Sequence, residues 1–229
     1  MAEKNQSHYC SIPSAPAHAS KERAAVLNEA KWPEGATIKV GFLGGEGDLQ
    51  RRVQDVAQEW TGPQMARLQL NFVDGATADI RIAFDQGNGS WSYLGTEAQQ
   101  IPAADPTMNY GWLTPDSSDD ELRRVVLHEF GHALGLIHEH QNPDKPIAWN
   151  KAAVIADLSK PPNSWTPEVI ENNIFKTYDK SDVDTTSTDP ESIMMYPIPA
   201  SWTTDGFSAG LNKELSTTDK DFIRTAYPW

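Results

Sequence analysis

Apolar positions recur along this chain with two periods, and the backbone is expected to change wherever the period does. Thr37–Leu43 sets Ile38, Val40 and Phe42 alternately with other residues, the period of a β-strand. Leu68–Val73 and Ala78–Phe84, joined at Asp74-Gly75, are further strands, as are Thr107–Leu113 and the short segment Ser90–Leu94. In Ala78–Phe84, Ile80, Ile82 and Phe84 share one face while Asp79, Arg81 and Ala83 take the other, which predicts a side that is wet or only partly covered. Helical spacing appears where Leu49, Val53, Val56, Ala57 and Trp60 form one stripe, with Asp48 as the expected N-cap. Ser118-Asp119-Asp120-Glu121 is a capping-box pattern that opens a second helix anchored by Leu122, Val125, Val126 and Phe130. Shorter helices are expected over Lys21–Ala30, Asn150–Leu158 and Pro167–Phe175, and Ser216 caps a last one running to about Ala226. Residues 1–20, rich in Ser, Ala and Pro, form an extended arm, and Lys176–Pro190 a polar loop.

Composition narrows the class of partner. The 229 residues fit one generous domain or two subdomains and can bury a full core. A formal charge of −13 and a pI near 4.8 disfavour nucleic acid and anionic membrane as partners, and the same excess serves solubility. No apolar run reaches the roughly 20 residues needed to span a bilayer, and the start, Met1–Ser7, lacks the apolar core of a secretory signal. Cys10 is the single cysteine, so an internal disulfide is impossible. Gly44-Gly45-Glu46-Gly47 is followed by no phosphate-binding pattern and reads as a turn, so no nucleotide cofactor is expected. The acidic residues Asp179, Asp182, Asp184 and Asp189 match no calcium loop and read as solvated.

One stretch carries chemistry. From His128 to His138 the chain reads H-E-x-x-H-x-x-G-x-x-H. A helical pitch of about 3.6 residues puts His128 and His132 on one face, where two imidazoles can address one ion. Glu129 lies too far round the helix to be an obvious ligand but is placed to hold a metal-bound water. Gly135 can take positive φ, so the helix can stop and the chain can swing His138 back as a third ligand. Three neutral nitrogens and an open position suit one catalytic zinc ion, and a fourth ligand from His140 would close the site.

This string resembles the signature of the metzincin clan of zinc endopeptidases, and Ser-Ile-Met-Met-Tyr-Pro at 192–197 resembles the astacin version of their Met-turn. The resemblance implies an α+β fold: a twisted mixed sheet with helices, including the zinc helix, in an N-terminal subdomain (21–138), a mostly irregular and helical C-terminal subdomain (139–229), and a cleft between them. It implies Met194 as the Met-turn residue, Tyr196 as a switchable zinc ligand or transition-state hydrogen-bond donor, and an edge strand near Ser90–Leu94 that pairs with substrate backbone. Glu139 matches the family's glutamate after the third histidine, which the resemblance associates with burying the mature N-terminus; Gln141 and Asn142 replace the basic residues that follow it, and the other reading of Glu139 is an acceptor orienting a histidine ligand. The absence of disulfide cysteines points to a microbial member, and the family is secreted.

The implied function is zinc-dependent endopeptidase action on protein or peptide substrates, with Glu129 as general base and Tyr196 aiding the oxyanion, in a monomer. A zinc-binding module without proteolysis and a latent proenzyme remain alternatives. Latency would fall to Cys10 in the N-terminal arm, capping the zinc as thiolate; the other reading of Cys10 is a thiol that pins the arm to the domain.

Overall fold

The computed structural model describes residues 8–13, 30–143, 146–178 and 188–229. The helix expected over Lys21–Ala30 lies outside these residues apart from Ala30, as do Asp179, Asp182 and Asp184. In chain order the main elements are β1 (Thr37–Phe42), α1 (Gly47–Ala57), β2 (Gln69–Asp74), β3 (Ile80–Ala83), β4 (Ser90–Ser92), β5 (Met108–Tyr110), α2 (Asp119–Ala133), α3 (Lys151–Leu158), α4 (Pro167–Ile170) and α5 (Thr217–Ala226). The strands form one mixed sheet in the order β2-β1-β3-β5-β4. All neighbours run parallel except β4, which is antiparallel to β5 and forms the edge. The fold is α+β.

Alternation placed the strands because each of the first three carries branched apolar residues into the same core, and that core is shared with the helices. The α1 stripe Leu49, Val53, Val56 and Ala57 is buried, and Trp60 continues it in a short 3-10 turn, its indole donating to the Leu127 carbonyl at 3.0 Å to clamp α1 onto α2. Asp48 is not the cap: Glu46 holds the N-cap position without a side-chain bond, and Asp48 sits in the first turn paired with Arg51.

The prediction of a wet face on β3 is overturned, since all four of its residues are buried. Arg81 is only 4 % exposed, and its guanidinium donates to the carbonyls of Ala78, Ile101, Pro102 and Asp105. A loop therefore covers this face, and Arg81 is tolerated there because the carbonyls replace its water.

Among the described residues two apolar clusters result. The larger joins sheet, α1 and α2, and takes in Leu215, Ile223 and Tyr227 from the far end of the chain. The smaller is built from α3, α4 and the segment after residue 194, including Val154, Ile170, Ile174, Met195 and Trp202. The patch expected as one helix over Pro167–Phe175 is α4 followed by a π-helical turn, Glu171–Phe175. Among the described residues no helix is long and apolar enough to cross a membrane.

Candidate metal centre

The centre is built on α2. Ser118 starts this helix by accepting from the Glu121 amide at 3.3 Å, and Asp119, Asp120 and Glu121 place negative charge where the helix dipole favours it. Glu121 does not complete the box: its carboxylate accepts instead from the Trp112 indole at 2.8 Å and from Arg124 at 2.6 and 3.0 Å. The helix stops where Gly135 takes φ +95°, and the Leu136 amide returns to the Gly131 carbonyl at 2.9 Å. That reversal brings His138 back over His132. The last carbonyls of the helix are not left bare, since Trp32 donates to Ala133 and Tyr227 to Leu134, both at 2.8 Å.

His128, His132 and His138 are all buried, and their ligand atoms lie within 4.8 Å of one another. Each ring is fixed through Nδ1: His128 on the Ile193 carbonyl at 2.8 Å, His132 on the Leu136 carbonyl at 2.7 Å, His138 on the Gln141 amide oxygen at 3.2 Å. Because those partners are acceptors, Nδ1 carries the proton and Nε2 presents a bare lone pair. Burial pushes all three imidazoles below their ordinary pKa, His132 to about 4, which keeps them neutral. The consequence is an electrostatic conflict: the Nε2 atoms of His132 and His138 face each other at 3.1 Å, and Nε2 of His128 has no partner among the described residues. A cation resolves it. Nitrogens about 2.0–2.1 Å from a tetrahedral zinc ion stand about 3.3 Å apart, so the donor set fits zinc. His140 is outside this group, its Nε2 held by the Asn173 carbonyl at 2.8 Å.

Glu129 is fully buried beside the triad, its carboxylate lies against the Cys10 thiol with no other hydrogen-bond partner among the described residues, and desolvation raises its pKa to about 8. Below α2 runs the segment 192–197. Met194 is 1 % exposed with its sulfur against Gly131, and the turn is pinned by Asp219 of α5, which accepts from Ser192 Oγ at 2.7 Å and the Ile193 amide at 2.8 Å. The Tyr196 ring lies 4.3 Å from that of His138, and its hydroxyl donates to the Cys10 carbonyl.

Residues 8–13 lie across this centre. The Ser11 amide donates to the Ser90 carbonyl at 3.0 Å, bridging to Trp91 of the edge strand in parallel sense, and the Ile12 amide donates to Asn173 at 2.9 Å. His8 stacks on Trp112 at 4.8 Å. Cys10 is buried with its thiol beside Glu129, outside the triad, and burial together with the Glu129 charge pushes that thiol up.

Glu139 does not orient a histidine: its carboxylate accepts from the Asp189 amide at 2.9 Å, and burial lifts it to about 7. Gln141 takes that position, held in turn by its own amide group on the carbonyls of Asn172 and Lys176 at 2.8 and 2.9 Å. The roles of Gln141 and Asp219 were missed from the sequence, although Ser216 marked the start of the helix that carries the second.

A mixed sheet with an antiparallel edge strand, a metal helix ending in a glycine reversal and a methionine turn beneath it together define a metzincin-type fold. More narrowly, the chain belongs to the astacin family: the family model for the Astacin peptidases matches residues 28–227. Two solved structures of myroilysin are similar to it. One is 46 % identical with a TM-score of 0.85, covering 89 % of this chain and 98 % of that one; the other is 41 % identical with a TM-score of 0.72, covering 98 % and 93 %. The medaka (Oryzias latipes) hatching enzyme HCE-1, a zinc-protease, shares the fold at 18 % identity and a TM-score of 0.58, over 87 % of this chain and 95 % of that one. Protein SpAN of Strongylocentrotus purpuratus is 25 % identical over 130 residues, 55 % of this chain, and zinc metalloproteinase nas-27 of Caenorhabditis elegans 26 % over 96 residues, 42 % of this chain. This match spans only 19 % and 20 % of those two relatives, so the chain covers about a fifth of their length.

Proposed function

We propose that the chain is a zinc-dependent endopeptidase hydrolysing peptide bonds in protein or peptide substrates. The observation that carries this reading is the convergence of three neutral, Nδ1-anchored imidazoles beside a buried carboxyl that meets only the Cys10 thiol among the described residues. His128, His132 and His138 would hold the ion through Nε2. Zinc held there would supply Lewis acidity for a water and for the scissile carbonyl. Glu129 takes the proton of the attacking water at a carboxylate oxygen and returns it to the leaving amine. Tyr196, close to His138 and rotatable at its hydroxyl, donates to the developing oxyanion. Met194, buried under α2, is a packing floor that fixes the height of the imidazoles. The edge strand β4, whose Ser90 carbonyl accepts from Ser11 in this structure, would offer its outer N–H and C=O groups to an extended substrate once residues 8–13 leave. The test is metal analysis combined with casein digestion: about one zinc per chain and chelator-sensitive cleavage are expected, and cleavage indifferent to chelator overturns the reading.

A second reading is favoured by the segment 8–13. Cys10 engages both proposed catalytic side chains at once, its thiol beside Glu129 and its carbonyl on the Tyr196 hydroxyl, while Ser11 occupies the edge strand. This form is latent, and Cys10, a soft donor, can also fill the open corner of the zinc. Cys10→Ala is expected to raise the initial cleavage rate of the full-length zinc-loaded chain, and an unchanged rate sinks the latency role.

A further inference from the structure

Tyr9 sends its side chain away from the metal and into an aromatic box in the smaller cluster. Its ring is stacked on Trp202 at 5.3 Å and meets Tyr196 and Trp165 edge-on at 5.4 and 6.4 Å. Ile170, Ile174 and Met195 belong to the same cluster, and Tyr9 as a whole is 8 % exposed. The polar contacts are few and directed. The hydroxyl donates to the Pro197 carbonyl at 2.9 Å, and the backbone amide donates to Asn163 Oδ1 at 3.1 Å. The box opens onto the centre itself, because Tyr196 forms one wall of both and the residual cleft beside Tyr9 reaches Arg124 and His128.

We infer that the box filled by Tyr9 is a side-chain subsite of the cleft, selecting polypeptides with a tyrosine next to the scissile bond. The inference rests on the peptidase reading and gives it a substrate class. For Glu129 and Tyr196 to act, residues 8–13 must leave, and their departure uncovers an indole-walled cavity directly beside the reacting centre. Concave apolar pockets with one or two convergent polar groups are where substrate side chains seat. Tyrosine matches both features. Its ring satisfies the walls, and its hydroxyl satisfies the Pro197 carbonyl, which phenylalanine would leave unpaired in a dry site and alanine would leave with a void as well. The rival account, a lock made only for the arm, predicts no such preference.

The full-length, zinc-loaded Tyr9→Gly variant tests this in two ways. First, p-cresol, the side chain of tyrosine as a free molecule, should raise the unfolding temperature of the variant and not of the unsubstituted protein, with toluene less effective. Second, a peptide library should be cut with tyrosine enriched about tenfold or more over alanine at one fixed position beside the scissile bond, phenylalanine lying between. No cresol effect, or cleavage without aromatic enrichment, overturns the subsite and leaves the peptidase intact. Because Cys10 holds the chain latent, the library is given to the zinc-loaded Tyr9→Gly, Cys10→Ala double variant as well: a library left wholly uncut by it, while cresol still stabilises the variant, overturns the peptidase reading and the subsite with it. Should Tyr9→Gly fail to fold, Trp165→Ala on the partly exposed wall serves instead: KM should rise for tyrosine peptides and hold for alanine peptides, and equal changes in both overturn the inference.

Discussion

Gly131 of α2 and Met194 of the turn beneath it touch so closely that a Cβ on Gly131 would stand 2.3 Å from the methionine sulfur. Gly131→Ala therefore sets two effects against each other. Helix propensity favours alanine by about 1 kcal/mol, but the methionine is 1 % exposed in the packed core, and the Trp60 ring stands 3.4 Å from the same Cβ. Overpacking of this kind costs about 1–3 kcal/mol, and it pushes directly on the helix that carries the histidines. The expected outcome is a lower unfolding temperature together with weaker zinc binding. An alanine variant as stable as the parent would show that the turn yields.

Glu129 offers the sharpest separation of binding from chemistry. Glu129→Gln keeps volume and shape in a site where the parent carboxyl lies against the Cys10 thiol and has no other partner among the described residues. Zinc content and unfolding temperature should change little, while peptide cleavage should fall by about 10²- to 10⁴-fold. Near-normal turnover would remove Glu129 from the proposed role.

Gln141 is expected to matter to the metal without touching it. Removing its side chain frees Nδ1 of His138 and unties the carbonyls of Asn172 and Lys176. Partners of this kind affect metal affinity by about 10- to 100-fold. Competition of Gln141→Ala against a chromophoric chelator should show a loss in that range, and an unchanged affinity would leave the contact without consequence.

The metal-stripped protein should respond to pH in a defined direction. Burial raises Glu129 to about 8 and Glu139 to about 7, from an ordinary value of 4.5. Each folded carboxyl keeps a proton that the unfolded chain releases, so this contribution is fully present below about 4.5 and lost as pH rises through 7 and 8. The imidazoles act oppositely: His132 and His140, held at about 4 against an ordinary 6.5, weaken the fold as pH falls from 6.5 towards 4. Unfolding temperature should thus drop between pH of about 6.5 and 8.5 when chelator is present. With zinc bound the drop should shrink, because the cation favours ionised Glu129 in the folded state as well. A chelated protein whose unfolding temperature is flat or rises across that range would contradict this.

What could be read from the chain alone was what is encoded locally. The triad follows from helical pitch and one glycine, the strands from alternation, the starts of α2 and α5 from Ser118 and Ser216. Non-local burial was not legible. Arg81 looked like a residue of a wet face because nothing near it in sequence announces the carbonyls of Ile101 and Asp105. Likewise Asp219 reads as half of a capping box, while its second task, holding Ser192 and Ile193, belongs to a turn earlier in the chain, at a separation of 26 to 27 positions. By charge alone glutamate is the better partner for a histidine ligand than glutamine, yet Glu139 is turned towards Asp189 and the amide of Gln141 is the group within reach of His138.

The bridge between Ser11 and the edge strand is made within a single chain. A tethered segment competes for its own groove at an effective concentration of about millimolar. Freely diffusing polypeptides at micromolar levels cannot outcompete such a neighbour, so abundance of substrate alone would not switch the molecule on. Cutting the covalent link would turn that standing advantage into ordinary dilution, an irreversible trigger set by chain connectivity rather than by any gain in affinity.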